Sequence, residues 1–140
     1  MGRSGYSEDC DSDQWALIRW RGAVNSAIRG KRGQQLLREM AAALDAMPEK
    51  RLIADALRDT DGEMCALGVV GQARGINLEK LDPEDYHAIA KEFGIAHALV
   101  QEIEFENDED FCYRNTTTPE QRWSRVRKWV AEQIIGAKDA

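Results

Sequence analysis

QWALIRWRGAVNSAIRGKRGQQLLREMAAALDAM, residues 14–47, decides the fold, because it reads as two successive helices with a glycine break between them. Trp15, Leu17, Trp20, Val24, Ala27 and Ile28 recur at helical spacing, while Arg21, Asn25 and Arg29 line another face. Asp13 stands where a capping carboxylate would open this first helix, over about Gln14 to Arg29. Gly30-Lys31-Arg32-Gly33 interrupts the pattern, since glycine is the natural residue just past a helix end. A second helix runs from about Gln34 to Met47 on the stripe Leu36, Leu37, Met40, Leu44 and Met47, and Pro48 ends it.

Working outward, residues 51–66 admit two readings. Asp61-Gly62 is a tight-turn signal, so a short strand on each side would give a small hairpin; the second arm also reads as a helix from about Cys65 to Arg74, closed by Gly75. Gly68 and Gly71 lie one turn apart on that helix, where they would let another backbone approach closely. Asp82-Pro83-Glu84-Asp85 marks a helix start, with proline at the first helical position. Its stripe is Tyr86, Ile89, Ala90 and Phe93, and it stops at Gly94. A further helix is expected from Ile95 to about Phe105, on Ile95, Leu99 and Ile103. Thr118-Pro119-Glu120-Gln121 reads as a capping box opening a last helix to about Ile135, with Trp123, Val126, Val130 and Ile134 inward. The sum is a mainly α chain: an acidic N-terminal tail over residues 1–13, expected to be flexible, and one bundle of about five or six helices over residues 14–140, with the hairpin as its one β option.

Length and composition fit a single domain with a true core: 140 residues, 43% hydrophobic, four tryptophans. No apolar run approaches the roughly 20 residues of a membrane span, and the polar, acidic start is unlike a secretion signal. Cys10, Cys65 and Cys112 are odd in number and widely spaced, so reduced thiols and a cytoplasmic location are expected. With His87 and His97 they form no C-x-x-C or H-x-x-x-H pair, so no metal and no cofactor are expected. Cys65 beside a helix start, with His97, is the one conceivable nucleophile pair, but no acyl-transfer signature surrounds it, and the chain is read as no enzyme.

Charge is segregated by segment. The net charge is −6, yet residues 14–38 carry Arg19, Arg21, Arg29, Lys31, Arg32 and Arg38 and no acid. The densest acidic run is Glu102, Glu104, Glu106, Asp108, Glu109 and Asp110. Its plain reading is a solvated face; its sharper reading is a contact for a protein partner that imitates a phosphate backbone. The basic set Arg21, Arg29, Lys31, Arg32, Arg122 and Arg125 has the same two-sided character. It either pairs with the acidic half of the molecule or meets a partner or nucleic acid. Gly30-Lys31-Arg32-Gly33 lacks the glycine spacing and Lys-Ser/Thr end of a phosphate-binding loop. The tryptophans are expected in the core or at its edge, Trp129 fitting its stripe least and so being the candidate exposed contact.

SGYSEDCDSDQWALIRWRGAVNSAIRGKRGQQLLREM, followed by DGEMCALGVVGQARG, resembles a group of small accessory proteins carried by bacteriophages and prophages; the Asp-Gly-x-x-Cys-Ala-Leu-Gly core is also similar to a motif in short actinobacterial proteins. The resemblance implies a small mobile-element gene expressed in a bacterial host, and it brings no catalytic residues with it. The function expected is therefore an inhibitor or adaptor of the anti-CRISPR or anti-defence kind. It would bind a host protein or nucleoprotein complex through the acidic surface, the basic helix-loop being a second contact. The alternative is a small accessory nucleic-acid-binding protein using the basic set. The sequence leaves the oligomeric state open, a homodimer among the options.

Overall fold

In a computed structural model, residues 14–108 and 117–136 are described. They hold six helices: α1 Gln14–Arg29, α2 Lys31–Ala46, α3 Ala66–Arg74, α4 Tyr86–Phe93, α5 His97–Asp108 and α6 Pro119–Gln133. A short 3-10 turn lies at Leu78–Lys80. The acidic tail over residues 1–13, with Cys10, and Cys112 lie outside the described residues.

The helix pair that opens the chain forms as its periodicity predicts, with one change at the corner. Only Gly30 leaves helical geometry, and α2 resumes at Lys31 rather than Gln34. Lys31 and Arg32 are therefore the first turn of α2 and not a glycine-flanked loop. Gly33 serves packing: a Cβ there would lie 1.9 Å from the carbonyl oxygen of Ala27, so only glycine lets α2 begin this close to α1. Leu36, Leu37, Met40, Ala41 and Leu44 bury the inner face of α2 against α3 and α6.

Residues 51–66 form a bent connection in which the expected hairpin shrinks to one antiparallel bridge, Arg58 with Met64, around the turn at Gly62. The arms do not zip further because their polar groups are used elsewhere. The Asp59 carboxylate accepts from the amides of Asp61 and Glu63, both at 2.9 Å, and Leu52 N donates to Pro119 O at 3.1 Å. Cys65 then caps α3, its Sγ accepting from Gly68 N at 3.5 Å. Gly68 does admit a backbone, since a Cβ there would meet Leu57 O at 2.0 Å.

Farther on, the start of α4 shifts from Asp82 to Asp85. Asp82 builds a turn, accepting from Glu84 N at 2.9 Å, and Asp85 caps the helix by accepting from Ala88 N at 3.0 Å. The capping box of α6 is present in both directions: Gln121 N donates to Thr118 Oγ1, and Thr118 N to Gln121 Oε1. The axis of the bundle is α5, which packs against α1, α3, α4 and α6. Among the described residues no helix is long and apolar enough to cross a membrane.

Candidate functional site

Because α5 is packed on all sides, its acidic residues do not form the solvated surface expected of them. Glu102 and Glu104 are 4% and 0% exposed, and Gln101 and Asn107 are buried beside them. Arg21 Nη1 donates to Glu102 Oε1 at 3.0 Å, tying α1 to α5. Glu106, one turn beyond Glu102, is partly buried. Burial, chiefly, and then the Glu102 and Glu132 charges push its carboxyl up to about 7, against the pull of Arg125 and Arg21. Asp108 accepts from Asn107 Nδ2 at 2.7 Å, while Glu109 and Asp110 lie outside the described residues.

Arg122 and Arg125 also face inward rather than toward solvent. Arg122 donates to Asn107 O and Leu52 O at 3.0 and 3.1 Å, and Arg125 donates to Glu106 O and Asn107 O at 3.2 and 3.1 Å. Two guanidinium groups from α6 thus bind the Glu106 and Asn107 carbonyls of the last described turn of α5, and one of them also binds Leu52 O in the connection before α3. Asn107 completes the seam: it accepts from Ala66 N at 3.0 Å and donates to Ile53 O at 2.8 Å. Arg21, Arg122 and Arg125 thus leave the expected basic surface, and Glu102 and Glu104 the acidic one.

Two further candidates separate. Cys65 is fully buried at the head of α3, whose next amide bonds to Asn107 near the end of α5. His97 opens α5 and is exposed, its ring against those of His87 and Tyr86 at 4.7 and 6.1 Å. Ten residues of helix, about 15 Å, lie between the two ends, so Cys65 and His97 do not meet. Among the described residues no group of three or more His, Cys, Asp or Glu side chains is placed to hold a metal ion. Trp129, the tryptophan expected at the surface, is buried at 9%.

Of the exposed large apolar side chains, Trp15, Leu17 and Ile18 lie on α1 and Ile135 just after α6. Trp15 and Ile18 are 72% and 60% exposed. With Arg19, Gly22, Ser26 and Arg29 they make one outward ridge, three or four residues apart, opposite the buried Val24 and Ile28. Lys31 and Arg32, past the corner at Gly30, open α2. Arg19, Arg29, Lys31 and Arg32 are all exposed and make no ion pair among the described residues. Of the other cations, Arg74 pairs with Glu39, Arg127 with Asp45, Arg51 with Glu63 and Glu120, and Arg58 with Glu79, while Lys80, Lys91 and Lys128 are exposed like those of α1. The sequence reading placed Trp15 on the inward stripe, in the core or at its edge. Its spacing from Gly22, Ser26 and Arg29 was the signal for an outward position.

Between α1 and the start of α5 runs an open cleft of about 380 Å³, floored by Trp20 and by Ala16, Ala23, Ala96 and Ala98, with Arg19 and His97 on its rim. A second, more polar hollow of about 300 Å³ lies between Arg32, Gln35, Glu39, Arg74 and Phe93. There Arg74 is already held by Glu39 at 2.8 and 2.9 Å and by Phe93 O at 2.8 Å. No family model, curated protein or solved structure matches this chain.

Proposed function

We propose that the chain is a non-catalytic binding module that docks the outward ridge of α1 onto an acidic, partly apolar surface of a host protein. The observation that carries this reading is the exposure of Trp15 and Ile18 among four cations that have no acidic partner among the described residues. Tryptophan and arginine dominate the energetics of protein interfaces, and an exposed apolar pair rimmed by charge is the composition of such a patch. Lys31 and Arg32 also occupy the first turn of α2, where the helix dipole favours acids. Cations kept at a local electrostatic cost are consistent with a use outside the molecule.

The resemblance to phage accessory proteins supplies the setting: an inhibitor or adaptor of the anti-defence kind, acting on a protein or nucleoprotein complex of a bacterial host. The test is affinity capture from such a host after nuclease treatment, with the native chain, a Trp15→Ala/Ile18→Ala variant and an Arg29→Ala/Lys31→Ala/Arg32→Ala variant. A host protein retained by the native chain and lost by both variants supports docking through α1.

The same exposed cations favour a second reading, contact with nucleic acid phosphates. In that case the retained material is nuclease-sensitive, and the Trp15→Ala/Ile18→Ala variant keeps most of it.

A further inference from the structure

We infer that the cleft beside Arg19 is the specificity pocket of this docking surface, and that it takes one large apolar side chain flanked by carboxylates from an acidic segment of the partner protein. The inference rests on the docking reading above and adds the chemistry of the partner to it. The floor of Trp20 and small alanines offers apolar area and no side-chain hydrogen-bonding group except the indole, so an apolar side chain is what it can desolvate favourably. Its volume, about 380 Å³, suits one aromatic residue.

The charge around the cleft selects what flanks that residue. Arg19 lines the cleft and also stands on the exposed ridge beside Trp15, so it joins the two contacts. Ala96, which also lines the cleft, precedes α5 and has no side-chain oxygen for the first amides of that helix. His97 is packed against His87 with ring centroids 4.7 Å apart, which holds the far wall in place. A carboxylate next to the inserted side chain would meet Arg19; a lysine would be repelled by it.

The probe is a blocked peptide with one central tryptophan flanked by aspartates, titrated into the full chain while the methyl carbons of Ala23 and Ala98 are followed by NMR. A lysine-flanked peptide and oligothymidylate serve as controls. The acidic peptide is expected to shift both methyls to saturation, and the controls to leave them in place. Ala23→Leu, which fills the cleft from an exposed position, and Arg19→Glu should each weaken the titration about tenfold or more while the circular dichroism stays native. Unmoved cleft methyls, equal shifts from the lysine peptide, larger shifts from oligothymidylate, or undiminished binding by both variants would each overturn the inference. So would a dimer in sedimentation that Ala23→Leu dissolves, since a second copy would then be the occupant. Partner capture separates the two levels. Loss with Trp15→Ala but not with Ala23→Leu overturns the pocket and leaves docking standing; loss with both supports both, and loss with neither overturns both.

Discussion

Arg21, half exposed on α1, donates to the carboxylate of Glu102, buried in α5, at 3.0 Å. The pair spans 81 positions of chain and fixes the helix that carries the docking ridge onto the helix at the centre of the bundle. Removing the guanidinium leaves a desolvated carboxylate without this donor, which costs more than an exposed ion pair is worth. Arg21→Ala should lower stability by about 1–3 kcal/mol in urea unfolding. Adding Glu102→Gln should recover part of that loss. A neutral Arg21→Ala would mean that other groups carry the Glu102 charge.

Glu106 gives the molecule a stability slope of known sign. Its folded-state pKa, about 7, lies above the ordinary 4.5, so the folded chain holds a proton that the unfolded chain releases. The contribution is complete below about pH 4.5 and is lost as pH rises through 7. Glu106→Gln should therefore be more stable than the native chain at pH 8, on the order of 1–2 kcal/mol after allowance for partial solvation. At pH 4 the two should converge. Unfolding curves that run parallel across this range would refute the assignment.

Two glycines should respond to alanine with opposite signs. Gly33→Ala places a Cβ against the Ala27 carbonyl and should cost about 2–4 kcal/mol, because backbone has to move. At Gly22 a Cβ would meet nothing within 4 Å, and the residue is inside α1. Gly22→Ala should raise stability by about 0.5–1 kcal/mol. Melting temperatures of the two variants, taken side by side, decide it.

Lys31 and Arg32 separate stability from binding. Changing both to Glu puts acids in the first turn of α2 and should stabilise the fold by about 0.3–1 kcal/mol per residue. Partner capture should fall at the same time. A stabilised variant that still retains the host protein would remove these cations from the docking surface.

Where a helix shows one face to the core, its residues announce it. The stripe Leu36, Leu37, Met40 and Leu44, the Thr118 and Gln121 cap, and Val126 with Val130 all stand as their spacing predicts. HALVQEIEFEND defeated the same logic, because α5 packs against four other helices and Glu102 is met inside the bundle by Arg21, from a distant segment. No local pattern reports a partner 81 positions away. The cations of the first helices were visible as a run without acids, but which of them stay free depends on tertiary pairing. Arg21 is consumed, whereas Arg19 and Arg29 make no ion pair among the described residues. The corner at Gly30 looked longer than it is because Gly33, read as a breaker, is a contact point.

Asn107 sets the order in which this chain can fold. Its one amide group joins the last turn of α5 to Ile53 and to the head of α3, 54 and 41 positions away, while Arg122 and Arg125 close over its carbonyl. None of these bonds can form from local sequence, so each waits on loop closure, which is slow relative to helix growth. The end of the central helix is therefore expected to complete late, when segments from both halves of the chain have arrived. In the native state these bonds form one seam through Asn107, and the exposed residues of α1 take no part in it.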